Sequence, residues 1–264
     1  MNLPDRQPPQ EDDPVADLGE DQPFLTHLIE LRSRILRALA AVVIIFIPLA
    51  IYANDLFTLV ATPLLSKLPP GSHMIATEVT SPFLTPFRLA FMVALFLAMP
   101  FILWQIWAFI APGLYQHERR FVMPLMLMST VLFYSGVAFA YFLVMPIIFG
   151  FMTHVVPQGV AVMTDMTHYL SFATTLFLAF GVVFEIPVAV ILLVWAGITT
   201  PGSLAALRPY VLVGAFVVAM FLTPPDAFSQ TMLAVPTYLL YELGIFLSRI
   251  MVPGYKEVEA QRKQ

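Results

Sequence analysis

Long apolar runs separated by short polar stretches dominate the pattern of this chain. A hydrocarbon core about 30 Å thick needs about 20 helical residues, each rising about 1.5 Å. Because lipid accommodates only helices or closed barrels, the pattern predicts an all-α polytopic membrane protein with six transmembrane helices. The predicted spans are approximately residues 36–52, 87–110, 121–149, 169–195, 209–223 and 228–248.

Run lengths and prolines together predict a curved, concave bundle. The second, third and fourth runs exceed the bilayer thickness and must tilt, bend or project, whereas the fifth is too short to cross a full bilayer. We expect the fifth span to thin the membrane locally or to be sheltered by its neighbours. The chain holds 23 prolines, which are expected to bend the helices into a rigid shape, with a break near Pro100.

Composition supports a lipid environment. The chain is 59% hydrophobic and 11% charged, with a mean hydropathy of +0.83, whereas soluble domains are about one quarter charged. The net charge of −4 argues against a nucleic-acid-binding protein. The absence of cysteine excludes disulfides, cysteine-ligated zinc and a thiol nucleophile, and no motif predicts a metal or another cofactor.

Both ends of the chain are predicted to be polar tails that flank a transmembrane domain of residues 24–250. Residues 1–23 are acidic and rich in proline, which predicts a disordered cytosolic tail. This start also lacks the basic and then apolar pattern of a cleavable signal peptide. Residues 251–264 carry several basic side chains and are expected to form a second cytosolic tail.

The first helix is predicted to begin with an amphipathic segment. Apolar residues from Phe24 to Ile35 recur at spacings of four, three and four, which places them on one helical face. Glu30 and Arg34 stand four apart in the favourable order for an ion pair. A short interfacial helix is predicted at residues 56–68, and another short segment begins at Thr200, in the N-cap position before a proline.

The arginines indicate the orientation of the spans. In a six-span arrangement they cluster on one side, whereas the other side has only Lys67 and Arg88. By the positive-inside rule, both termini and the hairpin that contains Glu118 are therefore predicted to be cytosolic. The clustered arginines are Arg32, Arg34, Arg37, Arg119, Arg120, Arg208 and Arg249.

Two glutamates lie within apolar runs. A bare carboxylate in hydrocarbon costs at least about 2.5 kcal/mol, so Glu185 is either a protonated or hydrogen-bonded structural group or part of a polar site in a water-accessible concavity. Pro187 follows two residues later and frees a backbone carbonyl, which favours a polar pocket there. Glu242 lies nearer the cytosolic end of its run, which favours a structural role.

The polar hairpin of residues 109–120 joins two of the longest runs. Within it, Glu118 lies beside two arginines, as Glu30 does near the start of the first helix. One interpretation is that both carboxylates are solvated or form internal ion pairs. The alternative is that they recognise a cation, above all a guanidinium, through paired charge-assisted hydrogen bonds.

No enzyme motif appears in the chain. It has no Gly-x-x-x-x-Gly-Lys phosphate loop, no His-Glu-x-x-His and no Gly-x-Ser-x-Gly, so we do not expect an enzyme. The two halves show no evident repeat, which weakens the case for an inverted-repeat transporter. One alternative function remains open, a proton-coupled small-molecule or ion transporter that uses Glu185 and Glu242 as a relay.

Several motifs occur in an order that is specific to one family. They are FLTHLIELR at 24–32, WAFIAPGLY at 107–115 with HERR at 117–120, FGVVFEIP at 180–187, RPY at 208–210 and LTPPD at 222–226. Over residues 22–250 the chain thus resembles the TatC family, the multispan core subunits of the twin-arginine protein translocase.

This resemblance implies a signal-peptide receptor in the bacterial cytoplasmic (inner) membrane. TatC-like proteins bind signal peptides that carry paired arginines, as part of a translocase that exports folded proteins and is driven by the proton motive force. By the resemblance, Glu118 and Glu30 would receive the two guanidinium groups. Arg32 and Phe109 would lie in the same surface.

Further residues match family positions elsewhere. Glu185 resembles an intramembrane glutamate in the concave face. Three residues match the region where TatA- and TatB-like single-span partners dock: Met220, Thr223 and Gln230. The alternative for these residues is ordinary packing between helices. Pro63, Tyr141 and Asp226 match positions on the periplasmic side. The resemblance also implies a homo-oligomer within the complex and no nucleic-acid partner.

Overall fold

The computed structural model describes residues 21–66, 73–110, 122–155, 163–223 and 226–252. Helices account for nearly all of these residues, and the isolated strand-like pairing found among them joins Ile75 and Asp165. The all-α prediction is confirmed. The helices are α1 (Asp21–Ile51), α2 (Ala53–Leu65), α3 (Ser81–Leu97), α4 (Met99–Ile110), α5 (Val122–Phe139), α6 (Met145–Val155), α7 (Met166–Val183), α8 (Ile186–Trp195), α9 (Pro201–Ala206), α10 (Arg208–Leu222) and α11 (Ala227–Met251).

Several helical stretches are long and apolar enough to cross a membrane. Within the described ranges there are four, at Leu28–Ile51, Met123–Met152, Met166–Trp195 and Ala227–Met251. The pair α3–α4 gives a fifth if its 48° bend is counted within one span. The apolar helix α10 has only 15 residues, in agreement with the short fifth run of the sequence.

Helix ends differ in places from the predicted boundaries. The first helix begins at Asp21, ahead of Phe24, so its first turn includes the end of the predicted acidic tail; the rest of that tail lies outside the described residues. The third stretch continues to Val155 instead of ending near residue 149, because apolar residues continue past Gly150. The predicted break near Pro100 is confirmed, at Ala98.

Helix α1 packs antiparallel to the bent pair α3–α4. Arg34 near the start of α1 contacts Gln105 of α4, while Phe46 near its end meets Phe91 of α3 edge to face, with ring centroids 5.9 Å apart. Only 6% of the apolar window of α1 is buried. Most of this helix is therefore available to lipid or to a partner protein.

Helices α5 and α7 cross at the centre of the core, where each carries a glycine. Phe133 and Phe180 are fully buried at the crossing. Gly136 lies against the backbone carbonyl of Phe180, and Gly181 lies against the ring of Phe133, so neither site has room for a β-carbon. Small residues at such crossings let two membrane helices approach closely.

A glycine also allows a close approach between α8 and α11. Gly244 of α11 lies against Pro187 of α8, where an added β-carbon would come within 3.0 Å of the proline Cα. The hydroxyl of Tyr241 donates to the carbonyl of Leu204 in α9 at 2.8 Å. Thr200 caps α9 as predicted, since its hydroxyl accepts a hydrogen bond from the backbone N–H of Ser203.

We expect Gly136→Ala to destabilise the protein, because the added β-carbon would overlap the carbonyl oxygen of Phe180. Overpacking of this kind costs about 1–3 kcal/mol. Gly214 in α10 provides the control, since no atom outside its own helix lies within 4 Å of the added β-carbon. The measurement is thermal unfolding of both variants in one detergent, and equal unfolding temperatures would contradict the close crossing.

Candidate functional site

The predicted carboxylate Glu30 forms an ion pair within α1. Its Oε1 accepts hydrogen bonds from Nε and Nη2 of Arg34, at 3.1 and 2.6 Å, as their spacing predicted. Its Oε2 accepts no hydrogen bond from any described residue. The Glu30 side chain is 37% exposed, so part of the carboxylate is accessible to a cationic ligand.

Arg34 also links α1 to α4. Its Nη1 lies 3.5 Å from Oε1 of Gln105, a residue that is buried in an otherwise apolar helix. Glu30 is one turn before Arg34, and Phe109 is one turn after Gln105. Because the two helices are antiparallel, Glu30 and Phe109 lie at a similar height along the helix axes. Both are near the C-terminal end of α4, after which residues 111–121 follow.

The remaining members of the predicted surface are only partly placed. Arg32 is exposed on α1 and lines a shallow groove with Ser33 and Arg37. Phe109 is half-buried. Glu118 lies within residues 111–121, outside the described ranges, so its position beside Glu30 stays a prediction.

Glu185 lies at the break between α7 and α8, two residues before Pro187. The hydroxyl of Ser129 in α5 donates a hydrogen bond to its Oε2. Its Oε1 is buried and has no hydrogen-bond partner among the described residues. One carboxylate oxygen is thus hydrogen-bonded and the other is not, among the described residues. A buried polar atom without a partner is energetically costly.

Glu242 is bound to a fixed cation. Arg208 donates from Nε and Nη2 to its two carboxylate oxygens, at 2.6 and 2.7 Å. This bidentate pair ties the start of α10 to α11, in agreement with a structural role. Engaged in this way, Glu242 is poorly suited to accept and release protons as part of a relay.

Tyr141 and Pro63 are linked through one backbone carbonyl. Proline has no N–H, so Pro63 leaves the carbonyl of Leu59, four residues earlier in α2, without its helical donor. A π-helical turn at Ala140–Val144 carries Tyr141, whose hydroxyl donates to that carbonyl at 2.9 Å. Tyr169 of α7 donates to the neighbouring carbonyl of Val60 at 2.7 Å, so two spans hold α2.

Four predicted residues surround the α10–α11 turn. Met220 is 51% exposed near the end of α10, whereas Thr223 caps that helix and is buried. Asp226 caps α11, with Oδ1 accepting from the N–H of Ser229 at 2.7 Å. Gln230 follows in the first turn of α11 and is half-buried. Met220 is thus the most accessible of the four for a partner.

Asp165, the N-cap residue of α7, fastens the segment before α3 to the start of α7. Its Oδ2 accepts from the hydroxyl and the N–H of Thr77, at 2.7 and 3.0 Å. Its Oδ1 accepts from the N–H groups of Thr167 and His168. The Thr77 hydroxyl is the first cause, with these backbone donors, of a pKa lowered to about 2, so the carboxylate is charged at neutral pH.

Ser129, Gln105 and Thr77 were not among the predicted site residues; the structure shows that they are hydrogen-bond partners of Glu185, Arg34 and Asp165. Ser129 and Gln105 stand out only as polar residues within apolar runs, and nothing in the sequence indicates their partners. In the described part of the chain, no three His, Cys, Asp or Glu side chains are grouped as a metal site.

The family model described as "Sec-independent protein translocase protein (TatC)" matches residues 26–236. The protein of that name from Escherichia coli (strain K12) is 59% identical over 233 residues, which cover 88% of this chain and 90% of the relative. The protein of that name from Haemophilus influenzae is 52% identical over 239 residues, covering 90% of this chain and 93% of the relative.

A solved structure supports the same relationship. The crystal structure of the twin arginine translocase receptor TatC is similar with a TM-score of 0.77 and 37% sequence identity, and the match covers 85% of this chain and 98% of that chain. The resemblance inferred from the sequence motifs is confirmed, and the chain is a multispan membrane protein.

We expect Tyr141→Phe to destabilise the protein, because the carbonyl of Leu59 would lose its donor. This hydrogen bond is exposed at the protein surface, so we expect its loss to cost about 0.5–1.5 kcal/mol. In a Pro63→Ala background the missing helical N–H is supplied, so the same change should cost less. The measurement is unfolding of the four proteins of this double-mutant cycle in detergent.

The control for this cycle is Tyr169→Phe. Its acceptor, the carbonyl of Val60, faces Leu64 four residues later, which has an N–H. The cost of Tyr169→Phe should therefore be the same with and without Pro63→Ala. Additive effects of Tyr141→Phe and Pro63→Ala would contradict the proposed link between these two residues.

Proposed function

This chain belongs to the TatC family of Sec-independent protein translocase proteins, and we propose that it is a receptor for twin-arginine signal peptides and the core subunit of a translocase for folded proteins. The observation that carries the proposal is the placement of Glu30. Its partly exposed carboxylate, bound to Arg34 through one oxygen, lies at the level of Phe109. The similar crystal structure, named as a twin arginine translocase receptor, supports the class of ligand.

The chemistry of the ligand fits this surface. A guanidinium binds a carboxylate through two parallel N–H···O hydrogen bonds. Arg34 occupies only Oε1 of Glu30, which leaves Oε2 for an arginine of the peptide. A second arginine needs a second carboxylate, and Glu118 in the adjoining segment supplies it, with Arg32 and Phe109 completing the surface.

Two such contacts are sufficient for selectivity. A hydrogen bond to a charged group contributes about 1.5–3 kcal/mol, and each tenfold change in affinity corresponds to about 1.4 kcal/mol. Loss of one peptide arginine therefore lowers the affinity by at least about tenfold. Because the surface is partly exposed, we expect binding to weaken as ionic strength increases.

The membrane arrangement that supports this role has six spans in the bacterial cytoplasmic membrane, with both termini in the cytosol. The short helix α10 serves as the fifth span, and α3–α4 form one bent span. The asymmetry of the arginines orients the end that carries Glu30 towards the cytosol. There it meets signal peptides before transport.

The partners in this proposal are TatA- and TatB-like single-span proteins and further copies of the chain. Helix α10 is the main candidate surface, because many of its apolar side chains are exposed, such as Tyr210 at 74% and Phe221 at 77%. Met220, Thr223 and Gln230 lie at the end of this surface, and Pro63, Tyr141 and Asp226 maintain the periplasmic end. No enzyme chemistry is proposed, and the proton motive force supplies the energy, at about 2.3 kcal/mol per charge moved across 100 mV.

Glu185 acts within the membrane after the peptide has bound. Its partnerless Oε1 is buried beside the break between α7 and α8, where a polar group of an inserting peptide or partner helix would satisfy it. The alternative of a proton-coupled transporter needs Glu242 as a second relay group. The bidentate pair of Glu242 with Arg208 does not favour that alternative.

We expect Glu118→Ala to abolish photo-crosslinking of a twin-arginine signal peptide to the purified protein, because one peptide arginine would lose its carboxylate. Glu118→Asp, which keeps the charge, should retain part of the signal. Asp55→Ala, at the start of α2 and away from the predicted surface, is the charge-matched control and should leave crosslinking unchanged. Undiminished crosslinking in Glu118→Ala would rule out this assignment.

We expect Glu185→Ala to leave binding of the peptide n-region largely intact and to impair its deep insertion and transport. The measurement compares crosslinks from the arginine region with crosslinks from the apolar region of the peptide, together with transport in membrane vesicles. Ser129→Ala, which removes the donor to Glu185, should show the same pattern more weakly. Equal loss of initial binding in Glu118→Ala and Glu185→Ala would contradict their separate roles.

A further inference from the structure

Arg88 is a cation on the side of the membrane that is otherwise poor in positive charge. It lies two turns into the apolar helix α3, and its Nη1 donates to the hydroxyl of Ser171 in α7 at 3.3 Å. No described carboxylate lies within ion-pair distance of it. Because an arginine in an apolar segment is costly and disfavoured on this side, we expect it to have an anionic partner outside the described chain.

Arg88 lines a groove of about 520 Å³ that lies between α1, α3 and the start of α7. One wall is polar, since the hydroxyls of Ser81 and Thr85 lie 2.8 and 3.1 Å from that of Thr167. Glu78 lines the same groove just before α3 begins. The groove therefore contains both a cation and an anion.

Polarity changes in a regular order along this groove. Glu78 comes first, outside the helix, and Arg88 lies about 10 Å beyond the start of α3 at Ser81. One turn deeper, Phe91 meets Phe46 of α1 edge to face, and both line the groove. From its outer rim towards the membrane centre, the groove thus presents a carboxylate, hydroxyls, a guanidinium and then aromatic carbon.

We propose that this groove binds a phospholipid with a phosphoethanolamine headgroup, taken from the outer leaflet. The primary ammonium binds Glu78, the phosphate binds Arg88, and an acyl chain lies along Phe46 and Phe91. This order of ammonium, phosphate and hydrocarbon is the order of the groups in the lipid. The inference goes beyond signal-peptide recognition and rests on the proposed function only for the orientation of the chain.

The rim of the groove is held in place before any lipid binds. Asp165 accepts two hydrogen bonds from Thr77, the residue before Glu78, and one from the N–H of Thr167 in the polar wall. One carboxylate therefore fixes both sides of the entrance. Such preorganisation reduces the entropy lost when a ligand binds.

Other abundant headgroups satisfy fewer of these partners. A phosphocholine headgroup carries a quaternary ammonium, which has no N–H to donate to Glu78. A phosphoglycerol headgroup offers a phosphate to Arg88 but no cation to Glu78. Because a hydrogen bond to a charged group contributes about 1.5–3 kcal/mol, we expect phosphatidylethanolamine to bind at least about tenfold more tightly than either alternative.

The test is native mass spectrometry of the purified protein titrated with phosphatidylethanolamine, phosphatidylcholine and phosphatidylglycerol that have identical acyl chains. Arg88→Ala should weaken binding of all three lipids. Glu78→Gln should remove the preference for phosphatidylethanolamine while binding of the other two lipids is retained. Arg249→Ala, which removes an exposed arginine outside the groove, should keep the preference.

Equal affinities for the three lipids in the unchanged protein, or a preference that survives Glu78→Gln, would overturn the proposal. If Arg88→Ala fails to fold, Arg88→Lys keeps the charge without the planar fork and should give an intermediate loss; an affinity unchanged by Arg88→Lys would also count against the phosphate contact. No signal peptide is present in the assay, so failure here leaves the proposed receptor function unaffected.

Discussion

The close crossing of α5 and α7 is the contact on which the interior of this protein depends. Gly136 rests against the backbone carbonyl of Phe180, so the two helices are separated by little more than their backbones. Only at this separation can a side chain as short as Ser129 reach the carboxylate of Glu185. A core contact that involves no polar side chain thus positions the polar group that we propose acts within the membrane.

Lipid cannot supply hydrogen bonds, so a backbone carbonyl that a proline leaves without its helical donor must be satisfied by a neighbouring helix. Pro63 frees the carbonyl of Leu59, and Tyr141 of another span satisfies it. The hydrogen bond from the Tyr141 hydroxyl holds α2 against the neighbouring helices. A proline in a membrane helix can therefore specify a neighbour as well as a bend.

The two ends of the molecule present different chemistry. At one end Glu30 is partly exposed beside Arg34 and at the level of Phe109, an arrangement suited to a cationic peptide. At the other end Asp165 fastens a loop to α7 next to a groove with Arg88 in its wall, an arrangement suited to a lipid headgroup. The two polar sites are thus separated by the apolar spans, and we propose that they serve different ligands.

The sequence alone determined that the chain is an all-α membrane protein, that one apolar helix is short, that a break occurs near Pro100, and that Glu30 pairs with Arg34. These features depend on run length and on neighbours within a single helix. Only the tertiary structure decided that Glu185 meets Ser129, that Tyr141 meets Leu59, and that Arg88 shares a groove with Glu78. In a membrane helix the faces towards lipid and towards protein are both apolar, so periodicity does not show which side faces which neighbour.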